Sequence, residues 1–236
     1  MRSIDAVITW VDGSDQEYKK KIEKHLTTST NYKKQYLQAN EIEYCVKSIL
    51  KFAPFIRKIF IVTDNQKPSF SSLENLIASN KVKVVDHKEI FKGYEKYLPT
   101  FNIRSIDAVL HRIEDLSEMF VYFNDDVFLV DKICEEDWFV KDKAVLMGKW
   151  ARSYSINPLK VLSGKFKKIF GLRPSFNASQ SKAANISGFK KEYFKSYHAA
   201  RPQIKSVIKE FYHKNPESLI DQIKYRFRNS EQFMPY

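Results

Sequence analysis

Short apolar segments alternate with amphipathic segments along the first 130 residues. The predicted strands are Ile4–Trp10, Ile59–Thr63, Val82–Val85 and Met119–Phe123, which resumes as Val127–Val130 after a polar interruption. The predicted helices are Gln16–His25, Glu41–Phe52 and Ile103–Leu116, with a loop at Thr27–Tyr32. Because strands alternate with helices, the pattern predicts an α/β fold with a mainly parallel sheet flanked by helices.

The pattern changes after residue 140. Pro158–Phe170 is a lysine-rich amphipathic helix in the prediction, and Pro202–Tyr212 and Pro216–Phe227 form a second helical pair. No repeat and no Pro/Gly linker separates these segments from the strands. We therefore predict an α/β core over residues 1–140 and a basic, mostly helical lobe over residues 141–236, tightly packed or in one domain.

Charge is distributed unevenly along the 236 residues. The net charge is +12 overall, with −2 in residues 1–140 and +14 in residues 141–236. Such an excess in the C-terminal part favours an anionic partner. Nucleic acid is not expected, since no nucleic-acid-binding motif is present.

Composition excludes several classes of protein. No apolar run approaches the roughly 18–20 residues of a membrane helix. An Asp interrupts the short apolar stretch at the start, so we do not expect this stretch to be a signal peptide. Cys45 and Cys134 match no metal or redox spacing. A reducing, cytoplasmic environment is the resulting expectation.

Acidic residues follow the predicted strands. Asp12, Asp64 and the pair Asp125–Asp126 come shortly after the ends of three predicted strands. In a parallel sheet these positions lie along one edge, where ligands bind. Asn124-Asp125-Asp126 is the strongest candidate, because paired carboxylates after a buried strand suit a divalent cation or an acceptor hydroxyl. The alternative is a tight turn, for which Asn-Asp is a common pair.

Other candidates have equally simple structural alternatives. The segment Asp12-Gly13-Ser14-Asp15 is either a loop that contacts a nucleotide or a plain turn. His198 is either a general acid or base, or an ordinary surface residue. Arg228, the last residue of Tyr225-Arg226-Phe227-Arg228, either binds a phosphate group or belongs to a solvated basic face. Asp107 has a functional role or is an ordinary residue on the surface of a helix. The helix predicted at Pro158–Phe170 binds a polyanion or an anionic membrane surface, or it is a charged face that only keeps the protein soluble.

Three blocks of the sequence resemble the Stealth proteins. The first block runs from Ile4 to Asp15 and continues around Glu43-Tyr44 and Ala53–Thr63. The second, most specific block reads LPTFN from Leu98, HRI from His111, LS from Leu116 and YFNDDV from Tyr122. A third block is suggested by His198, Glu210, Pro216 and Arg228-Asn229-Ser230, and the family's fourth block has no counterpart before Tyr236.

This resemblance implies a glycosyltransferase A-like, nucleotide-sugar-binding fold and a bacterial sugar-1-phosphate transferase of capsule or cell-surface polysaccharide synthesis. In that family an acceptor hydroxyl attacks the β-phosphorus of a UDP-sugar such as UDP-N-acetylglucosamine, and UMP leaves. The resemblance places the family's catalytic residues on Asp126, His198 and Arg228, and on Asp107, where the family usually has Glu. The separations, 19 positions from Asp107 to Asp126 and 30 from His198 to Arg228, match the family's.

These expectations give a set of residues and ligands to compare with the structure. The candidate substrate-binding residues are Asp12, Gly13, Asn124, Asp125 and Arg112, and Asp125 and Asp126 are the candidate ligands of a Mg²⁺ or Mn²⁺ ion. The expected partners are a UDP-sugar and an anionic polysaccharide or oligosaccharide acceptor, with peripheral contact at the inner membrane face. Two alternatives are a metal-dependent glycosyltransferase that releases UDP and a non-catalytic module that binds UDP-sugar or polymer.

Overall fold

Five of the strands pair into one sheet. The computed structural model describes residues 3–26, 39–156, 159, 161–163, 166 and 175–234. The strands are β1 (Ile4–Thr9), β2 (Ile59–Thr63), β3 (Val82–Asp86), β4 (Met119–Asn124), β5 (Phe139–Val140), β6 (Lys143–Ala144), β7 (Gly148–Arg152), β8 (Glu192–Ser196) and β9 (Arg201–Ile204). The five-stranded sheet has the order β3-β2-β1-β4-β9.

Four of these five strands run parallel. β1 pairs with β2 and with β4, β2 pairs with β3, and β9 is antiparallel to β4 at the edge. In this register Thr9 lies opposite Val62 and Asn124, which brings the carboxyl ends of β1, β2 and β4 to one edge. The predicted mainly parallel α/β fold is confirmed.

Helices fill the connections. They are α1 (Gln16–His25), α2 (Glu41–Phe52), α3 (Leu73–Ala78), α4 (His87–Ile90), α5 (Ile103–Asp107), α6 (Phe176–Ile186), α7 (Lys205–Lys214) and α8 (Pro216–Ile223). Short 3₁₀ turns occupy Glu95–Tyr97, Leu110–Arg112, Glu135–Asp137 and Tyr154–Ile156. The predicted limits of α1 and α2 agree with those observed.

The core lies between the sheet and α2. Alternate residues of β1 point to one face, and with their neighbours on β2 and β4 they pack against the apolar stripe of α2. The members from β1 and α2 are Ile4, Ala6, Ile8, Ile42, Cys45, Val46 and Ile49. The intervening residues Val7, Phe60 and Phe120 are also fully buried, so both faces of the sheet are covered, as expected for parallel strands.

Four predicted elements are wrong in their extent. Val127–Val130 does not continue β4, because the chain turns at Asp125–Asp126 and leaves Val130 88% exposed. The predicted helix Ile103–Leu116 ends at Asp107 and continues as a separate 3₁₀ turn. Pro202–Tyr212 begins as β9, and Pro216–Phe227 is helical only to Ile223. Pro202 is compatible with a strand here because β9 pairs on one side only.

The chain divides into two compact units. The first comprises Met1–Pro99, Leu110–Val145 and Ala199–Ile208, and the second comprises Thr100–Val109, Leu146–His198 and Lys209–Tyr236. The five-stranded sheet belongs to the first unit. The second contains α5, α6, α8 and the antiparallel pair β7–β8, two strands that the sequence did not predict in the mostly helical lobe.

Two expectations concern membranes. Within the part of the chain that the structure describes, no helix has the length and apolar character needed to cross a bilayer. Most of the predicted basic helix Pro158–Phe170 lies outside the described residues.

Candidate functional site

The topology of the first unit marks a ligand-binding edge. Along the sheet, β2 and β3 lie on one side of β1, whereas β4 lies on the other. In open α/β sheets ligands bind at such a reversal, beyond the carboxyl ends of the strands. The residues that follow β1 and β4, from Trp10 and from Asp125 respectively, therefore form the candidate site of this unit.

A hydrogen-bonded chain orients Asn124 at this edge. The hydroxyl groups of Thr9 and Tyr122 are 2.8 Å apart, and the Tyr122 hydroxyl donates to Oδ1 of Asn124 at 2.7 Å. The guanidinium of Arg201 lies over the Tyr122 ring, 4.3 Å from its centroid. Tyr122 itself is buried, so its hydroxyl holds the side-chain amide of Asn124 in a fixed position.

Asp125 and Asp126 form a turn. The Val127 N–H donates to the Asn124 carbonyl at 3.1 Å, which closes the turn around the two acidic residues. Asp125 is half-buried and Asp126 is exposed. The expected cost of burying two carboxylates after a strand is therefore small here, and the turn interpretation of this sequence is correct for its backbone.

Asp125 and Asp126 both act electrostatically on the thiol of Cys45. Burial, together with the negative charges of Asp125 and Asp126, raises the pKa of the Cys45 thiol. Cys45 is thus a protonated packing residue rather than a nucleophile. Asp125 and Asp126 are adjacent in the chain and both act electrostatically on Cys45.

Among the described ranges, no cluster of three or more His, Cys, Asp or Glu side chains is arranged to hold a metal ion. A dedicated protein cage is not what Mg²⁺ requires, because one or two carboxylates and substrate phosphates commonly suffice. The pair Asp125–Asp126 fits that more open mode of binding.

The loop after β1 is held in a defined conformation. Oδ1 of Asp12 accepts hydrogen bonds from the backbone and the hydroxyl of Ser14 at 2.7 and 2.6 Å. The backbone of Asp12 exchanges two hydrogen bonds with the Gln66 amide, and Asp15 caps α1 by accepting from the Tyr18 N–H. Gly13 lies between these anchors, half-buried. The turn interpretation holds, and the turn presents its backbone at the candidate edge.

A buried histidine lies at the carboxyl ends of β2 and β3. His87 is 1% exposed, and among the described residues neither of its ring nitrogens has a hydrogen-bond partner. Burial lowers the pKa of His87 to about 4, opposed by the negative charges of Asp64 and Asp86, while Lys21 lowers it further. Lys21 also pairs with Asp64 at 3.1 Å. His87 is therefore neutral at pH 7.

We expect His87 to make the protein sensitive to acid. Its pKa in the folded state is lower than the ordinary value of 6.5, so the unfolded chain binds the proton more readily. Stability is fully present above pH 6.5 and is lost as the pH falls towards 4. Between pH 7 and pH 5 this residue should remove about 2 kcal/mol from the free energy of unfolding.

Urea unfolding at both pH values tests this expectation. The His87→Leu variant should lose about 2 kcal/mol less than the wild type over that interval. The exposed His213 provides the control, since His213→Gln should keep the wild-type dependence. An equal loss of stability in wild type and His87→Leu would contradict the assignment.

Two predicted site residues of the second unit are linked by a residue that sequence reasoning missed. Asp107 is 5% exposed at the end of α5, so the helix-surface interpretation is wrong. Arg104, on the same helix, is also buried. Burial and the charge of Arg228 lower the pKa of Arg104 to about 10, while Asp107 raises it. Arg104 therefore lies within electrostatic reach of both.

Asp107 also acts on a buried tyrosine. Burial, reinforced by the charge of Asp107, raises the pKa of the Tyr212 phenol. Tyr212 thus remains a neutral hydroxyl beside the carboxylate. The spacing of Arg104 and Asp107, three residues apart on one helix, is a signal that could have identified Arg104 from the sequence.

Asn102 holds the segment that carries Arg228. Its side-chain amide donates to the carbonyls of Tyr225 and Phe227, each at 3.0 Å, and to Oε1 of Gln232 at 2.8 Å. Its Oδ1 accepts from the Arg104 N–H at 3.2 Å. One buried side chain therefore fixes both α5 and the segment after α8.

Asn102→Ala should lower the free energy of unfolding by about 2–4 kcal/mol, because it leaves several buried acceptors without their donor. Chemical denaturation monitored by circular dichroism measures this. The exposed Asn75→Ala variant should change it by less than about 0.5 kcal/mol. Equal effects of the two substitutions would show that the Asn102 network does not hold this segment.

The remaining predicted residues have different surroundings. His198 is exposed in the loop between β8 and β9 and belongs to the second unit, whereas Asp126 belongs to the first. Arg112 donates to the Lys92 carbonyl at 2.5 Å, and its guanidinium lies 4.8 Å from the centroid of the Tyr94 ring. These contacts give Arg112 a structural task, and its substrate-binding role stays a prediction.

Family models match much of the chain. Residues 35–147 match the model of Stealth protein CR2, conserved region 2, and residues 2–28 match that of Stealth protein CR1, conserved region 1. The first match contains the Asn124-Asp125-Asp126 turn and Asp107, and the second contains the loop after β1.

Curated relatives agree with these matches. The capsular polysaccharide phosphotransferase fcs1 of Haemophilus influenzae is 42% identical over 142 residues, which are 58% of this chain and 37% of that protein. The receptor polysaccharide phosphotransferase WefC of Streptococcus oralis is 38% identical over 148 residues, 60% of this chain and 43% of that protein. The chain thus spans less than half the length of these relatives.

Solved structures give a weaker similarity. The galactosyltransferase LgtC, in complex with donor and acceptor sugar analogs, is 13% identical with a TM-score of 0.41, covering 96% of this chain and 68% of that chain. Mouse xyloside xylosyltransferase 1 is 13% identical with a TM-score of 0.43, covering 98% and 78%. At such scores the similarity says nothing about donor or acceptor.

Proposed function

Because the chain belongs to the Stealth family, we propose that it transfers a hexose-1-phosphate from a UDP-sugar to a hydroxyl group of an acceptor sugar. The reaction forms a phosphodiester and releases UMP, and its role is in capsular or cell-surface polysaccharide synthesis. The observation that carries this proposal is the Asn124-Asp125-Asp126 turn, which lies at the reversal point of the sheet and within the region matched by the family model.

The reaction exchanges one P–O bond for another. The acceptor oxygen attacks the β-phosphorus, and the bond from that phosphorus to the oxygen bridging to the α-phosphate breaks. The hydroxyl proton passes to a base, and the electron pair of the broken bond stays with UMP. Such a transfer depends mainly on positioning and on neutralising charge.

The general base is Asp126 or His198. Asp126 is an exposed carboxylate two residues after the end of β4, so it is accessible to an acceptor hydroxyl and can receive its proton. His198 is the alternative because an exposed imidazole can play the same role. Tyr122 supports the first assignment, since it fixes the residue from which the acidic turn begins.

Arg228 would neutralise part of the negative charge of the diphosphate, and the acidic turn would hold a divalent cation, Mg²⁺ or Mn²⁺. Asp125 and Asp126 would hold the cation, which would supply positive charge to the β-phosphate. Asn124 and Asp125 contact the donor, with Arg112 as a further substrate-binding candidate.

Asp107 orients the sugar or the groups around it. Its burial beside Tyr212 and Arg104 gives the carboxylate a fixed position. Asp12 and Gly13 face the uridine side of the donor, where the anchored turn after β1 offers backbone groups. The donor is proposed to be a UDP-N-acetylhexosamine.

The acceptor is proposed to be an anionic oligosaccharide or polysaccharide. A polymer joined by sugar-1-phosphate transfer carries a phosphodiester in each repeat, and residues 141–236 carry a net charge of +14. Attraction of this kind weakens as salt rises. A cytoplasmic location with peripheral contact at the inner membrane face is consistent with such a polymerising reaction.

The nucleotide product tests the proposal. The protein is incubated with UDP-N-acetylglucosamine, Mg²⁺ or Mn²⁺ and an oligosaccharide acceptor, and the nucleotides are separated by ion-exchange chromatography. We expect UMP. Release of UDP would instead identify a conventional metal-dependent glycosyltransferase, and binding of the UDP-sugar without turnover would identify a non-catalytic binding module.

A further inference from the structure

We propose that Arg104 and Arg228 together form a binding site for a phosphoryl group in the second unit. This inference rests on the proposed function, in which Arg228 is the one arginine that contacts the diphosphate. It adds the buried residue Arg104, described above only as a neighbour of Asp107 and Arg228, as the second guanidinium of that site.

The first argument is geometric. Arg104 lies on α5, and its Nη1 donates to the carbonyl of Asn229 at 3.3 Å. Asn229 directly follows Arg228 in the chain. The guanidinium of Arg104 is therefore in contact with the short segment from which the Arg228 side chain projects.

That segment is held rigidly on both sides of Arg228. Before it, the Phe101 N–H donates to the Arg226 carbonyl at 2.8 Å, and the rings of Phe101 and Phe227 stack with centroids 5.2 Å apart. After it, the Asn229 N–H donates to Oε1 of Gln232 at 3.0 Å. A site built here is preorganised, which reduces the entropy lost when an anion binds.

The second argument is the balance of charge. The charged groups that act on Arg104 are Arg228, which lowers its pKa, and Asp107, which raises it. Two guanidinium groups and one carboxylate leave a net positive charge, and Arg104 and Asp107 are both buried, whereas Arg228 is exposed to solvent. Such an arrangement is unfavourable by itself and becomes favourable when an anion is bound.

Guanidinium chemistry identifies the class of anion. The planar fork of N–H donors matches the oxygens of phosphate and can donate two parallel hydrogen bonds. Two guanidinium groups can therefore donate hydrogen bonds to the oxygens of one phosphoryl group. The group belongs either to the diphosphate of the donor or to a phosphodiester of the acceptor.

Binding of inorganic pyrophosphate tests the site without requiring turnover. Isothermal titration calorimetry on the wild type should show binding, and Arg104→Gln should weaken it at least about tenfold, because charge-assisted hydrogen bonds are lost. Arg104→Lys should retain part of the affinity, since it keeps the charge and loses the fork. Arg226→Gln is the matched control, because it removes the same charge from the same segment and should bind pyrophosphate within about twofold of wild type.

A second variant covers the case in which Arg104→Gln fails to fold. Arg228 is exposed, so Arg228→Gln should fold normally and weaken pyrophosphate binding by a similar factor. Competition then separates the two sources of the phosphoryl group. Displacement of pyrophosphate by the UDP-sugar identifies the donor, and displacement by a phosphodiester-linked oligosaccharide identifies the acceptor.

Several outcomes would overturn the inference. These are the absence of pyrophosphate binding to wild type, unchanged binding in both Arg104→Gln and Arg228→Gln, an equal loss in Arg226→Gln, and failure of both the UDP-sugar and the phosphodiester-linked oligosaccharide to displace pyrophosphate. Unchanged binding would leave Arg104 as a residue that only holds Asn229. Release of UDP in the transfer assay would refute the proposed reaction while leaving the anion site intact, so the two failures are distinguishable.

Discussion

Replacing Asp126 with asparagine should lower the rate of sugar-phosphate transfer at least about 100-fold. The amide cannot accept the proton of the acceptor hydroxyl, and it is a poorer ligand for a divalent cation than a carboxylate. Because Asp126 is exposed on a turn, the substitution should leave the free energy of unfolding within about 0.5 kcal/mol of wild type. Steady-state release of the nucleotide measures the loss.

Asp131 offers a matched control for Asp126. It is an exposed aspartate five residues further along the same irregular segment, and its carboxylate accepts a hydrogen bond from the neighbouring Lys132 N–H. Asp131→Asn should retain the wild-type rate. A near-normal rate in Asp126→Asn would remove Asp126 from the mechanism.

His198→Ala should also lower turnover at least about 100-fold, if the imidazole takes or returns a proton in the transfer. The side chain is exposed, so its removal leaves an opening that a small molecule can enter. Addition of free imidazole should then restore part of the rate. Such a rescue distinguishes a chemical role from a purely structural one.

His213→Ala is the control for this experiment, because His213 is exposed at the end of α7 and has no proposed role. Its rate should match wild type and should not respond to imidazole. If His198→Ala itself turns over near the wild-type rate, the imidazole takes no part in the reaction, and Asp126 remains as the proposed base.

The sequence predicted the parallel part of the fold well because its pattern is local. Glu41–Phe52 and Ile59–Thr63 have the same limits in the prediction and in the structure, since each places a continuous apolar stripe or run against the core. That the first is a helix and the second a strand could be inferred from the spacing of their apolar residues and from their lengths alone.

The strands after residue 145 could not be predicted in the same way. β9 contains Pro202 and leads directly into α7, so its sequence looks like the start of a helix. Its strand conformation depends on pairing with β4, which lies about 80 positions earlier in the chain. Likewise, the paired residues of β7 and β8 lie 40 to 48 positions apart, from Arg152 and Glu192 to Gly148 and Ser196. A short window of sequence contains no information about which distant strand a segment will pair with.

The candidate site also contains residues that the sequence pattern identified and residues whose roles depend on tertiary contacts. Asn124-Asp125-Asp126 was identifiable because three polar residues interrupt an apolar run, and the structure places them at the reversal point of the sheet. The positioning role of Tyr122 and the burial of Arg104 depend on tertiary contacts with Thr9 and Asn229. Those contacts follow from the packed fold and cannot be inferred from spacing.

The destination of the β-phosphorus tests the central claim most directly. The protein is incubated with UDP-N-acetylglucosamine labelled with ³²P in the β-phosphate and with an oligosaccharide acceptor, and the products are separated. Attack at phosphorus predicts that the label moves into the oligosaccharide and that the released nucleotide is unlabelled. Label recovered in the nucleotide beside an unlabelled elongated acceptor would show attack at the sugar carbon and contradict the proposed reaction.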